Sequence, residues 1–141
     1  MREIEFRGKD IETGEWVFGD LHTLCDKPHV HTDKSKFPYA GKRSFVIPET
    51  IGQFTGLLDK NGKKIYEGDI VRHPYVAPIF RDLVESKDGD GVTSEVVFHD
   101  GAFVVKYDEN DFIYLDAFTR HGYSEVIGNI HDNSELVKYK Q

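Results

Sequence analysis

Four side chains in one short stretch, His22, Cys25, His29 and His31, are of the types that bind zinc through imidazole nitrogen and thiolate sulfur. Their spacing argues against a site. His29 and His31, two residues apart, share a face if the segment is a strand. The proline turn Asp26-Lys27-Pro28 stands between them and Cys25, and Cys25 is the sole cysteine, so no second cysteine-rich arm closes a tetrahedral shell. These residues therefore read as exposed polar groups on a hairpin, with no metal and no cofactor expected.

Other chemistries fare no better. Asp59-Lys60-Asn61-Gly62 superficially opens a calcium loop, but an EF-hand places glycine sixth and glutamate twelfth, whereas here Gly62 is fourth and Ile70 twelfth. A turn is the better reading. His99, Asp100 and Asp116 are acid–base types, yet the chain contains no nucleophile elbow, zincin helix, phosphate loop or dinucleotide fingerprint to gather them. No catalytic residue is assigned, and a non-enzyme is expected. Nucleic-acid binding would draw on Lys34, Lys36, Lys42 and Arg43, on Lys60, Lys63 and Lys64, and on Phe37, Tyr39, Phe54 and Tyr66 as stacking rings. Acidic residues interleave these cations, so a solvated surface is favoured over a nucleic-acid groove.

The elements that would carry these residues read as strands. Ile4 and Phe6 alternate with charged residues, and Gly8-Lys9-Asp10 and Glu12-Thr13-Gly14-Glu15 follow as turn chemistry. Trp16–Leu21 and His29–His31 form a second and third strand joined as a hairpin, and Ser44–Ile47 a fourth that Pro48 stops. Asn61-Gly62 is the firmest turn signal, since both residues tolerate positive φ, and it leads to the extended run Ile70–His73. Between Pro74 and Gly91, Ile79, Phe80, Leu83 and Val84 fall at helical spacing, which predicts a short helix or an ordered loop. Val92–Phe98 and Ala102–Tyr107 flank a second hairpin turn at Asp100-Gly101. Phe112–Leu115 and Glu125–Ile130 complete the strands, with one helical turn expected in Asp116–Tyr123 and a loosely held polar end from His131. The sum is a mainly β fold, a small antiparallel barrel or sandwich with one or two short helical turns.

Three segments carry a family resemblance: Ile4–Lys9, Gln53–Val71 and Glu125–Asn133. Their residues and order resemble the YopX family of small proteins encoded by phages and prophages. The resemblance spans almost the whole chain, and the stretch of about 74–91 reads as a variable insertion in a single domain, 1–141. It implies a prophage setting and a mainly β fold, and it brings no catalytic residue with it. Within Tyr66-Glu67-Gly68-Asp69-Ile70-Val71, glycine permits a bend before the strand and aspartate accepts backbone N–H bonds, a structural role. The same motif is SH3-like in part, an analogy of fold alone.

Composition bounds the rest. The chain has 141 residues, one domain's worth, and its formal charge of −7 weighs against a broad positive field for nucleic acid or anionic membrane. The single cysteine and the charged start Met1–Arg7, without an apolar signal stretch or spanning run, point to the cytoplasm. The expectation is a non-catalytic accessory protein that acts by protein contacts, as a homo-oligomer or on a phage or host protein. Its 10 Phe and 7 Tyr are more than one thin core buries, and Phe80, Leu83, Phe112 and Tyr114 are candidates for the contact. The alternative is a small β-barrel that binds nucleic acid in phage replication or regulation.

Overall fold

A computed structural model describes residues 1–32, 42–73, 75–76, 83–84, 91–106, 109, 112–115 and 124–137, with the backbone alone at 75–76 and 83–84. The fold is mainly β, in two larger antiparallel sheets with no closed barrel among the described residues. Two compact units divide the chain, Met1–Gly56 and Leu57–Gln141.

In the first unit, β1 (Phe6–Lys9), β2 (Trp16–Leu24), β3 (Lys27–His31), β4 (Arg43–Phe45) and β5 (Gly52–Leu58, which runs on into the second unit) lie in the order β4-β3-β2-β1-β5. Gly8 and Lys9 are ladder residues opposite Val17 and Trp16, so the first turn begins at Asp10, later than the glycine suggested. Asp10 builds that turn by accepting the Glu12 and Thr13 N–H groups. Ile4, read as part of the first strand, precedes it and is 53% exposed. β2 pairs with β1 through Gly19 and with β3 from Asp20 onward. A Cβ at Gly19 would overlap the His31 carbonyl, so a side chain there would force β2 and β3 apart. The β2–β3 turn is Cys25-Asp26, both at positive φ (49° and 63°), which leaves Lys27 and Pro28 inside β3 instead of in the turn. Pro48 ends the β4 segment as expected and opens a 3₁₀ turn, Pro48–Thr50.

The second unit holds β6 (Lys64–Tyr66) and a five-stranded sheet. Its strands are β7 (Asp69–His73), β10 (Val92–His99), β11 (Ala102–Lys106), β12 (Phe112–Tyr114) and β13 (Glu125–Asn129), in the order β12-β11-β10-β7-β13. Ile70 and Val71 are both 0% exposed, because β7 is central and covered on both faces. Ile65, Val71, Val96, Val105 and Leu115 form the core, with Leu57, Phe103, Ile113 and Val126 packed against it. Each such fully buried aliphatic side chain contributes about 1.5–3 kcal/mol over its exposed state.

The short strands β8 (Tyr75–Val76) and β9 (Leu83–Val84) pair with each other. Leu83 and Val84 are thus extended where helical spacing was read: in so short an apolar run, β-branched residues and a pairing partner override periodicity. Ile79 and Phe80, and the helical turn expected in Asp116–Tyr123, lie outside the described residues. The polar end is tied down as far as Val137, since the Asn129 side chain accepts the His131 and Asp132 N–H groups and Thr93 Oγ1 donates to the Leu136 carbonyl at 2.7 Å.

Candidate functional site

Cross-strand register assembles the histidines. His22 on β2 lies directly opposite His29 on β3, and His31 stands two residues along on the same face. His29 and His31 are 4% and 3% exposed, so the expectation of exposed polar groups fails for both. They are buried because β3 is an interior strand flanked by β2 and β4 and is covered on both faces, with Val30 at 0% on the other. Their Nε2 atoms approach to 3.2 Å. His22 is exposed, and its ring centre lies 5.7 Å from that of His29 and 5.1 Å from that of His31, while His29 and His31 are 5.0 Å apart. Cys25 sits exposed at the turn, not on this face of the ladder.

Burial, the neighbouring His31, Arg43 and His22 charges hold the His29 pKa below the ordinary histidine value. Asp20 on β2 and Arg43 on β4 stand opposite His31, and Phe45 stands opposite His29 with ring centres 5.6 Å apart. Beside β4, Ile11, Pro28, Phe45, Val46 and Pro48 line an apolar groove of about 340 Å³ with Asp26 and Lys27 at its rim.

The carboxylates of the central motif are structural. Asp59 Oδ1 accepts Asn61 N–H at 2.8 Å and Lys63 N–H at 2.9 Å, and Oδ2 accepts Val126 N–H at 3.0 Å across 67 residues of chain. The turn reading of Asp59–Gly62 is what this geometry supports, since both oxygens that a calcium ion would want already accept backbone N–H groups. Gly62 alone has positive φ (79°); Asn61 does not, because the loop is a type I turn closed by a left-handed glycine and not the mirror-image turn. Asp69 Oδ2 accepts Tyr66 N–H at 2.8 Å around Gly68, whose φ is 89°.

Of the acid–base candidates, the described pair is adjacent in the chain and open to solvent. His99 Nε2 lies 3.3 Å from Asp100 Oδ2 on an exposed turn, and His99 stacks on Phe112 at 4.1 Å; Asp116 lies outside the described residues. Sequence reasoning missed a second pair, His73 Nε2 with Ser94 Oγ at 2.7 Å, which adjacent strands β7 and β10 create and no linear motif marks. At 2% and 0% exposure this pair has no access for a substrate.

Two of the proposed stacking rings, Phe54 and Tyr66, are each 5% exposed and so cannot receive bases, and Lys60 pairs with Glu125 at 3.2 Å. Lys34, Lys36, Phe37 and Tyr39 lie outside the described residues. Large apolar exposure in the second unit falls instead on Leu58, at 50%, Phe98, at 57%, and Tyr114, at 67%. Among the described residues β12, which carries Tyr114, ends the order of its sheet.

Residues 5–138 match the YopX protein family, and the chain belongs to it. Its fold is similar to that of protein EF1440 from Enterococcus faecalis, known from a crystal structure, with 24% sequence identity, a TM-score of 0.59, and coverage of 98% of this chain and 100% of that one. No curated protein matches the chain. Among the described residues no helix is long and apolar enough to cross a membrane.

Proposed function

We propose that this YopX-family protein is a prophage-encoded, non-catalytic accessory module that works by self-association in the cytoplasm, through the β12 edge. The observation that carries the reading is an edge strand bearing a 67% exposed tyrosine. An antiparallel edge-to-edge pair is self-complementary, so one patch serves both subunits and the assembly closes as a two-fold dimer. Centred on Ile113, such a pair sets Phe112 of one copy against Tyr114 of the other, twice. Each aromatic pair contributes about 0.2–1 kcal/mol beyond the backbone bonds. The prophage setting rests on the family resemblance. The non-catalytic reading is supported by the enclosure of the His73–Ser94 pair and the open exposure of His99 and Asp100.

Sedimentation equilibrium tests it. The chain mass is 16.2 kDa, and the wild type should show twice that. Tyr114→Lys, which sets a charge against Phe112 of the other copy, should return it to the monomer. A wild-type monomer at high concentration refutes self-association. A dimer untouched by Tyr114→Lys but lost in Phe45→Ser moves the contact to the groove of the first unit.

A further inference from the structure

The geometry points to a three-imidazole site for a borderline divalent transition ion of the zinc class, formed by His22, His29 and His31 on the β2–β3 hairpin. Spacing along the chain disfavoured a metal here because it relied on Cys25 and found no closing arm. Cross-strand pairing removes both objections, since His22 supplies the third imidazole and Cys25 is not needed. Two nitrogens on a tetrahedral ion with bonds of 2.0–2.1 Å lie about 3.3 Å apart. The Nε2 atoms of His29 and His31 are 3.2 Å apart. Three imidazoles on such an ion place their ring centres roughly 5 Å from one another. The three separations here are 5.0, 5.1 and 5.7 Å.

Without an ion, a single proton between the two Nε2 atoms makes one hydrogen bond, and 3.2 Å is the long limit for it. As the rings stand, no three His, Cys, Asp or Glu side chains among the described residues converge on one ion. The missing step is local: His29 and His31 are held by burial with their nitrogens facing, and the exposed His22 ring must turn about its side-chain torsions, a fast motion for a surface residue. Asp20 and Arg43, both exposed and both opposite His31, carry one charge of each sign and between them add no formal net charge. The Nδ1 atom of His31 has no hydrogen-bond partner. Ligating histidines normally donate from that nitrogen, so affinity should fall about 10–100-fold below that of a fully buttressed site. Imidazole donors favour zinc, copper, nickel and cobalt over calcium or magnesium.

Cobalt(II) titration of tag-free, chelator-treated full-length protein provides the test, with zinc as competitor. One ion per chain, the visible absorption of a four-coordinate cobalt site, and displacement by zinc are expected. His22→Gln, at an exposed position where folding is safe, should weaken binding by at least about tenfold. His31→Gln, checked for folding by circular dichroism, should abolish the spectrum, and Cys25→Ser should leave it intact. Absence of a saturable site, a His22→Gln protein that binds like the wild type, or loss of the site in Cys25→Ser overturns the assignment.

Discussion

Removing the Asp59 carboxylate should unfasten a long-range joint of the second unit. Asp59 is 7% exposed and ties its own turn to β13: Oδ1 holds Asn61 and Lys63 N–H, and Oδ2 holds Val126 N–H. Lys60 reinforces the link through its N–H to the Ser124 carbonyl at 2.9 Å. In Asp59→Ala the Asn61 and Lys63 N–H groups lie at exposed residues and turn to water, for about 0.5–1 kcal/mol each, whereas the half-buried Val126 N–H is orphaned at about 1–3 kcal/mol, or roughly 2–5 kcal/mol in all. Asp59→Asn keeps one arm and sets an amide N–H against the other arm's donor, so its cost should be smaller. Urea unfolding followed by circular dichroism reads the loss as a fall in midpoint of about 0.7–5 M, given slopes of about 1–3 kcal/mol/M. Burial raises the Asp59 pKa, but the Val126, Lys63 and Asn61 N–H groups and the Lys63 charge outweigh it and leave the pKa below the ordinary aspartate value. A depressed carboxylate contributes stability that is present above its unfolded pKa and is lost as pH falls through the folded one. The gap between wild type and Asp59→Ala should therefore be full at pH 7 and shrink as pH drops below about 4. An Asp59→Ala cost under about 0.5 kcal/mol, or a gap unchanged by acid, refutes the bridge.

Gly62→Val should cost roughly 1–2 kcal/mol by thermal unfolding, because φ is 79° and no atom lies within 4 Å of a new Cβ, so only backbone conformation is penalised. Gly19→Ala should cost more despite its smaller side chain, since its Cβ meets the His31 carbonyl; equal losses in the two variants would contradict the close approach of β2 and β3. Asp69→Ala should lose about 1–3 kcal/mol from the buried Tyr66 N–H, and an amide-exchange rate at Tyr66 unchanged from wild type would remove that hydrogen bond from the account.

How far these features could be read in advance depended on whether their cause was local. Asp100-Gly101 announced a two-residue hairpin, and both residues take positive φ, at 48° and 80°. Gly68-Asp69 likewise acts as its types suggest. Residues whose state is set by distant strands were misread. Ile4 looked like a strand residue by alternation but precedes the ladder, which begins at Phe6. Gly8 looked like a turn but is buried opposite Val17. His29 and His31 looked solvated because alternation assumes one wet face, and β3 has none over these residues. The reach of Asp59 to Val126 could not be read at all, because nothing in a turn of four residues names an acceptor's partner 67 positions away.

The same distinction bears on where function is to be sought. Within the central segment that carries the family resemblance, Asp59 and Asp69 both spend carboxylate oxygens on backbone N–H groups, Gly62 and Gly68 both supply positive φ, and Ile65, Ile70 and Val71 are fully buried. Each of these residues has a geometric task that fixes its type, so the motif specifies the fold and leaves little of itself to touch a ligand. Groups positioned without such a task lie elsewhere: the facing imidazoles of His29 and His31 on β3, where burial leaves the His31 Nδ1 without a hydrogen bond, and the exposed Tyr114 on a strand that ends its sheet among the described residues. Buried polar atoms without partners and large exposed rings both cost free energy that packing alone would remove. Their presence outside the fold-specifying motif makes the β2–β3 hairpin and the β12 edge the two places where a change should alter binding while leaving the core of the second unit intact.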